Sequence, residues 1–498
     1  MKKFLLGTVA LIALGSAANA ADLAARYTKA PVMAPVSNWT GFYLSGGFGY
    51  GIWDASSRSV VTGTGIPTAA GDLHSGGRGY FGTVGGGYDY QLAPSWVIGV
   101  FGDAQFGDVN GTVTDPAALA NARSKNDVSY AAGVRLGYLI APDVLSYVNA
   151  GYSHAHFKNG AYVDIVTGAP TGNSLRNSNR DGWFIGGGVE NSLNFFGINA
   201  PGWFMRTDYR VAEYGRKSVD NVDSVTGALI GTSLSNKLYE QTVSTSLVYR
   251  FNSHVSSASS AGYRGYTKAP AVGVNWTGFH IGGGGGYGLL SADSREVNAI
   301  TGAPAFATNT KPSGHGYFGT VSGGYDWQIN PTWVVGIFGD AQFGDIKGNM
   351  LDRDLSSIAS LKNDINYAAG VRVGYLVAPD VLSYVNGGYS HAQVKGANYY
   401  SANSGSLDAL ATRKTGFDGW FIGGGVENSL NFFGINAPGW FMNTEYRVAE
   451  YDRKNIQNYF TATNADAPTA LSTKMYVQTV STSLVYRFNW GSPVVAKY

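Results

Sequence analysis

The chain contains no cysteine among its 498 residues. Disulfides, thiolate metal sites, cysteine nucleophiles and a lipid anchor on a processed cysteine are therefore excluded together. Charge is scarce as well. Asp, Glu, Lys and Arg make up 14%, against about 25% in a typical soluble domain. The formal net charge of +2 gives no reason to expect a nucleic acid or an acidic substrate. Long apolar runs are also missing, since none after Leu14 reaches the roughly 18 residues that a membrane helix needs. Glycine and aromatics are abundant instead, at 70 residues and 13% of the chain. Low charge, many aromatics and no long apolar run fit strands that show lipid one side chain out of two.

The beginning of the chain reads as an export address. Lys2 and Lys3 form a positive start, Phe4 to Leu14 an apolar stretch, and Ala18-Asn19-Ala20 a small-residue cleavage site before Ala21. That pattern is a secretory signal peptide over residues 1–20, too short for a transmembrane helix. Losing the two lysines brings the formal charge to about zero.

Beyond it the chain repeats itself. Asn38-Trp39-Thr40-Gly41-Phe42 returns as Asn275-Trp276-Thr277-Gly278-Phe279, 237 positions on. Asp181 to Met205 recurs unchanged as Asp418 to Met442, and Gln241 to Asn252 as Gln478 to Asn489. The divergent stretches are local: Ser56–Arg78, Asp115–Arg123, Val166–Arg180, Val222–Asn236 and their counterparts. Four evenly spaced variable patches predict four surface loops on a framework. The implied organisation is a segment 21–37, a first unit 38–252, a Ser/Ala/Gly-rich linker 253–274, a second unit 275–489 and a tail 490–498.

Side-chain alternation sets the secondary structure. Tyr239, Gln241, Val243, Thr245, Leu247, Tyr249 and Phe251 fall on one face, with Glu240, Thr242, Ser244, Ser246 and Arg250 on the other. Period two with one apolar face is a strand. Trp203, Met205, Thr207, Tyr209 and Val211 likewise oppose Arg206, Asp208 and Arg210. Similar phases run through 42–50, 80–91, 96–106, 127–140 and 183–190, with Asp127, Ser129 and Arg135 on one inner face. Val144–Phe157 is ambiguous, and Val148, Ala150 and Tyr152 are placed outward. The expected fold is all-β, with eight strands per copy. Short proline-bearing turns at Leu92–Ser95, Ala141–Asp143 and Gly197–Gly202 alternate with long loops, the signature of an outer-membrane barrel. A closed barrel is the one sheet that can span lipid, because no edge is left unpaired. The competing reading is a soluble sandwich, but strand glycines such as Gly85-Gly86-Gly87 and Gly186-Gly187-Gly188 would weaken one. In a narrow barrel they relieve crowding.

Aromatics gather where strands meet turns: Trp96, Trp203, Phe204, Tyr249 and Phe251, and in the second copy Trp333, Trp440, Tyr486 and Phe488. They suit a girdle at the membrane–water boundary.

Ala21-Asp22-Leu23 through Tyr27-Thr28-Lys29-Ala30-Pro31, then Asn38-Trp39-Thr40-Gly41-Phe42-Tyr43, resembles the start of alphaproteobacterial major outer-membrane proteins, which are related to the OmpA-like barrel. The ending Leu484-Val485-Tyr486-Arg487-Phe488-Asn489-Trp490 resembles theirs too. The resemblance implies an outer-membrane location among outer-membrane lipids and insertion by the barrel-assembly machinery, and it names no extracellular ligand. Family members carry one barrel per chain, whereas this chain holds two copies. Two tandem eight-stranded up-and-down barrels are expected; the alternative is one sixteen-stranded porin for small hydrophilic solutes.

An eight-stranded interior is about filled by its own side chains. The inner face of the first copy carries Asp89, Asp103, Arg135, Glu190, Arg206, Asp208, Arg210, Glu240 and Arg250. The second carries Asp326, Asp340, Arg372, Glu427, Glu445, Arg447 and Arg487. Buried charge of both signs predicts ion pairs across the lumen, either as a polar plug or as the lining of a narrow pore. No catalytic, cofactor or metal site is expected. Ser153-His154 is the best nucleophile–base candidate, with Ser390-His391 in the second copy, but adjacent strand residues face opposite ways. Gly283 to Gly288 formally fits a dinucleotide fingerprint without the helix one requires. No histidine and carboxylate spacing suggests a metal. The functional expectation is a structural or surface-interaction protein of the outer membrane with weak small-solute pore activity, and not an enzyme.

Overall fold

The computed structural model describes residues 38–488 apart from 70, 142, 194–197, 252–274, 353–356 and 431–434. The expected signal peptide with its Ala20/Ala21 cleavage site, the segment 21–37, the linker and the tail lie outside the described residues.

The first copy forms β1 (Gly41–Val61), β2 (Leu73–Ala93), β3 (Trp96–Asp115), β4 (Ala120–Ala141), β5 (Val144–Asp164), β6 (Pro170–Leu175), β7 (Ser178–Ser192), β8 (Trp203–Asp223) and β9 (Leu229–Arg250). The second forms β10 (Gly278–Asn298), β11 (Ser313–Gln328), β12 (Trp333–Asp352), β13 (Ser357–Ala378), β14 (Val381–Lys395), β15 (Asn398–Ser401), β16 (Leu407–Thr412), β17 (Thr415–Ser429), β18 (Trp440–Tyr451), β19 (Lys454–Phe460) and β20 (Asp466–Arg487). Within each copy eight long strands pair antiparallel into a ring. β1 closes on β9 with Tyr43 opposite Arg250, and β10 closes on β20 with His280 opposite Arg487. Each sheet therefore closes on itself, and the sixteen-stranded alternative fails. β6 lies between β5 and β8 above the first ring; β15, β16 and β19 do the same work over the second.

The strand phases follow the alternation. Phe42, Leu44, Phe48, Val84, Ile98, Val100, Val134, Ile185 and Leu247 are exposed, while Tyr43, Val97, Tyr147, Phe184 and Val248 are buried inside. In the ambiguous β5, Val148 and Tyr152 are exposed and Leu145 and Tyr147 buried. At two points the phase differs from expectation. A bulge between Asn126 and Val128 turns Asp127 to the outward His156, 2.6 Å away. Phe204 is buried and packs on Trp39 with ring centroids 5.1 Å apart, so it belongs to the interior.

The glycine runs make room for interior tyrosines. A Cβ on Gly87 or Gly188 would stand 2.6 Å from the Tyr43 or Tyr147 hydroxyl.

The predicted loops are largely strand. β1 runs to Val61 and β2 starts at Leu73, inside the patch Ser56–Arg78, and β6 occupies much of Val166–Arg180. A 21-residue strand such as β1 is about 70 Å long at roughly 3.3 Å per residue. Tilted by about 40°, it rises roughly 50 Å, about twice the ~25 Å apolar band of such barrels. The outward apolar belt ends near Tyr50 and Tyr80. Above it the first barrel continues as a β-walled stalk filled by Trp53, Val109, Phe157, Tyr162, Tyr214 and Leu234, and the second by Leu290, Ile346, Val394, Tyr399, Tyr451 and Leu471, all buried.

The two barrels stand side by side about a pseudo-twofold axis. Tyr209 meets its own counterpart Tyr446 at 5.2 Å between ring centroids. Away from that pair, Arg78 lies 3.6 Å over the Tyr476 ring, and its counterpart His315 lies 4.1 Å from Tyr239, the counterpart of Tyr476. Gln241 and Gln478 point out of their own barrels, yet both are fully buried. They stand beside Ile52 and Leu289 and are covered by the neighbouring barrel, which supplies no hydrogen-bond partner to their amides among the described residues.

Because each ring closes independently, residues 21–252 expressed alone should refold in detergent as a heat-modifiable β-barrel. Aggregation under conditions that refold the full chain would show that ring closure needs the second copy.

Candidate functional site

The lumen charges come together in layers. Asp89, Arg135, Glu190 and Arg250 sit on β2, β4, β7 and β9, which are alternate strands of the ring. In a staggered eight-stranded barrel alternate strands deliver side chains to one level. Arg135 donates through Nε to Asp89 at 2.8 Å and through Nη1 to Glu190 at 3.1 Å. Arg250 donates through Nε to Glu190 at 2.7 Å and through Nη2 to Asp89 at 2.8 Å. Two cations and two anions thus make a closed square across the lumen, and no member is more than 4% exposed. Beneath it Trp39, just before β1, folds into the barrel mouth. Its ring lies 4.2 Å from the Arg250 guanidinium, and its carbonyl accepts from Arg250 at 3.3 Å.

The second barrel repeats the square. Arg372 bonds Asp326 at 2.9 Å and Glu427 at 3.1 Å, and Arg487 bonds Glu427 at 2.7 Å and Asp326 at 2.8 Å. His280 replaces Tyr43 there and meets Arg372 at 3.1 Å.

A second layer lies above. Arg210 grips Asp103 with two bonds of 3.0 and 2.7 Å, and Arg206 pairs with Asp208 at 3.0 Å. Asp208 also accepts from the Tyr147 hydroxyl. In the second copy Arg447 pairs with Asp340 at 2.8 Å and Glu445 at 2.7 Å. Asn443 stands where Arg206 does, and both Asn443 and Glu445 accept from the Tyr384 hydroxyl. Higher still, Glu240 departs from the expected ion pairing. Its carboxylate accepts from Asn126 at 2.9 Å and from Tyr214 at 3.4 Å, two neutral donors. The voids left between these groups are small. One of about 10 Å³ lies near Asp103 and Arg210, with room for about one water, and one of about 40 Å³ lies near Asp340 and Arg447.

The girdle aromatics form outward ladders at the turn side. Trp203, Tyr249 and Phe251 stack in sequence with centroids 5.2 Å apart, as do Trp440, Tyr486 and Phe488. Trp96 packs edge-on against Tyr138 at 5.0 Å, and Trp333 against Tyr375 at 5.2 Å.

The remaining candidates separate. Ser153 is buried in the lumen against the Tyr214 hydroxyl at 3.0 Å, while His154 faces outward to Asp181 at 2.8 Å. Ser390 and His391 divide in the same way, to Tyr451 and Asp418. Gly283–Gly288 lies inside strand β10. One constellation was invisible in the spacing. Asp54, His74 and His315, from both copies, bring their ligand-type atoms within 4.8 Å of one another.

Two closed antiparallel rings with an apolar outer belt and a charged interior define a β-barrel protein of the outer membrane. The chain belongs to the outer membrane protein beta-barrel domain family, whose model matches residues 7–251 and again 255–488. It is 25% identical over 264 residues to the 31 kDa outer-membrane immunogenic protein of Brucella melitensis, covering 50% of this chain and 100% of that protein. The same-named protein of Brucella suis aligns equally well. Among solved structures, OprG of Pseudomonas aeruginosa is 11% identical, with a TM-score of 0.29 over 44% of this chain and all of that one. The Pseudomonas putida toluene transporter TodX is 9% identical, with a TM-score of 0.25 over 90% of this chain and 95% of that one. Superpositions this loose add nothing to the strand pairing itself.

Removing one partner of a buried ion pair strands the other's charge. Arg135→Met should therefore lower unfolding stability in lipid vesicles by about 3–5 kcal/mol. Asp181→Asn, on the exposed outer surface, should leave the urea midpoint unchanged. Equal midpoints for Arg135→Met and the parent would remove the square's structural role.

Proposed function

We propose that this protein is a structural and surface-interaction barrel of the outer membrane whose lumens are closed by ion pairs. The observation that carries this reading is the Asp89–Arg135–Glu190–Arg250 square, repeated as Asp326–Arg372–Glu427–Arg487. A solute crossing either lumen would have to break several buried charge-assisted bonds at once. The exposed parts are what remain for function: the belt for outer-membrane lipids and the tall stalks for an extracellular surface. The immunogenic Brucella relatives, named for recognition by a host, agree with a surface-facing role. Insertion of such a chain falls to the barrel-assembly machinery, with Phe251 and Phe488 closing the last strands as assembly signals. Catalysis has no support in the divided Ser153 and His154.

A second reading is weak conduction, and the second barrel favours it. Its Arg206 counterpart is Asn443, and its void is the larger of the two. Planar-bilayer recording separates the readings. The parent protein should pass no sustained current, and Arg447→Ala should raise conductance more than Arg210→Ala. A steady, ion-selective current from the parent would sink the closed-lumen proposal, as would Arg206→Ala that conducts with unchanged stability.

A further inference from the structure

Where the stalks touch above the belt, one carboxylate is shared between the barrels. Asp54 points out of β1 and is fully buried. His74, on the neighbouring β2, places Nδ1 3.0 Å from Asp54 Oδ2, and His315 of the second barrel places Nδ1 2.7 Å from the same oxygen. Ser313, also from the second barrel, donates its hydroxyl to Asp54 Oδ1. The imidazoles keep 18% and 23% of their surface, so the cluster opens to the outside.

We propose that Asp54, His74 and His315 bind a divalent transition-metal cation of the zinc type that clasps the two barrels together. Two imidazole nitrogens and one carboxylate oxygen suit zinc, copper or nickel and not the all-oxygen shells of calcium or magnesium. Around tetrahedral zinc, bonds of about 2.0–2.1 Å set neighbouring ligand atoms roughly 3.3 Å apart. The nitrogen–oxygen separations of 3.0 and 2.7 Å fall about 0.3 and 0.6 Å short of that. The two rings would back off the carboxylate by that much while drawing toward each other from within 4.8 Å, and the outer opening leaves a fourth position for water. Coordination through Nδ1 requires each ring to hold its one proton on Nε2: a neutral ring moves it there by exchange with water, and a doubly protonated ring releases one proton to solvent.

The pseudo-twofold axis supplies an internal comparison. At the opposite end of the interface the counterparts of Asp54, His74 and His315 are Ser291, Lys311 and Arg78, a set that cannot hold a cation. There Arg78 pairs with Asp293 instead. The two ends of one symmetric contact are thus closed by different means, a fixed ion pair and a cation-dependent joint. Neither barrel alone holds all three ligands.

The test is zinc titration of the refolded full-length chain in detergent, after chelator treatment, against a chromophoric competitor. One zinc per chain with micromolar or tighter affinity is expected. His74→Gln and His315→Gln should each weaken it at least tenfold, and Arg78→Gln should leave it unchanged. Heat-modifiability of each variant reports that both barrels have formed. Zinc should also raise the thermal midpoint of the parent and not that of His315→Gln. Absence of stoichiometric zinc on the parent overturns the proposal. So does zinc retained by both histidine variants, which would place it on the outward His154–Asp181 or His156–Asp127 pairs.

Discussion

The whole molecule depends on the width of an eight-stranded ring. Such a ring is too narrow for a water column and too wide to stay empty, so its inward side chains must fill it. Those side chains include charges, and a buried charge is tolerated only when paired and hydrogen-bonded. The squares of two arginines and two acids satisfy both demands. Each guanidinium serves two carboxylates, and each carboxylate serves two guanidiniums. The sheet supplies the geometry: alternate strands reach one level, so four residues far apart in sequence meet in a plane. Trp39 and Phe204 seal the layer below.

The same constraint explains what varies between copies. The squares differ in no ionic member, because changing one would strand the other three. Above them, where the lumen is less tightly filled, Arg206 has become Asn443 and Asp208 has become Glu445. That exchange removes a cation and lengthens an acid, and Arg447 answers by bonding Glu445 as well as Asp340. The layer thereby passes from two cations facing two acids to one arginine shared between two acids.

Alternation made the fold and most of the lumen legible. A face carrying Val243, Leu247 and Tyr249 opposite Glu240 and Arg250 fixes which way each residue points before any pairing is known. What alternation cannot give is depth. Phe204 adjoins Trp203 at a turn and shares its girdle position in sequence, yet the two side chains part to opposite faces. The stalk strands look like loops in the sequence because, above the lipid, an outward polar residue carries no penalty and the hydrophobic contrast fades. Asp127 defeated the reading because one bulge resets the parity. Glu240 lies on the expected face and meets Tyr214 from the adjoining strand β8, but its other partner Asn126 stands on β4, which only ring closure brings across the lumen.

The duplication has a further consequence in the membrane plane. Copies joined in one chain are held at high effective concentration, so a modest contact suffices to keep them together. That contact is isologous in layout, with Tyr209 and Tyr446 on its axis, as in a twofold dimer of identical subunits. Within a true homodimer both ends of the contact must carry the same residues. Once the copies share a chain, each position exists twice and can change independently. Asp54 opposite His315 at one end and Asp293 opposite Arg78 at the other are the product: the two ends place their acid at different positions and meet it with different bases. The interface has kept the geometry of self-association while its two ends have diverged in chemistry, which an interface between identical subunits cannot do.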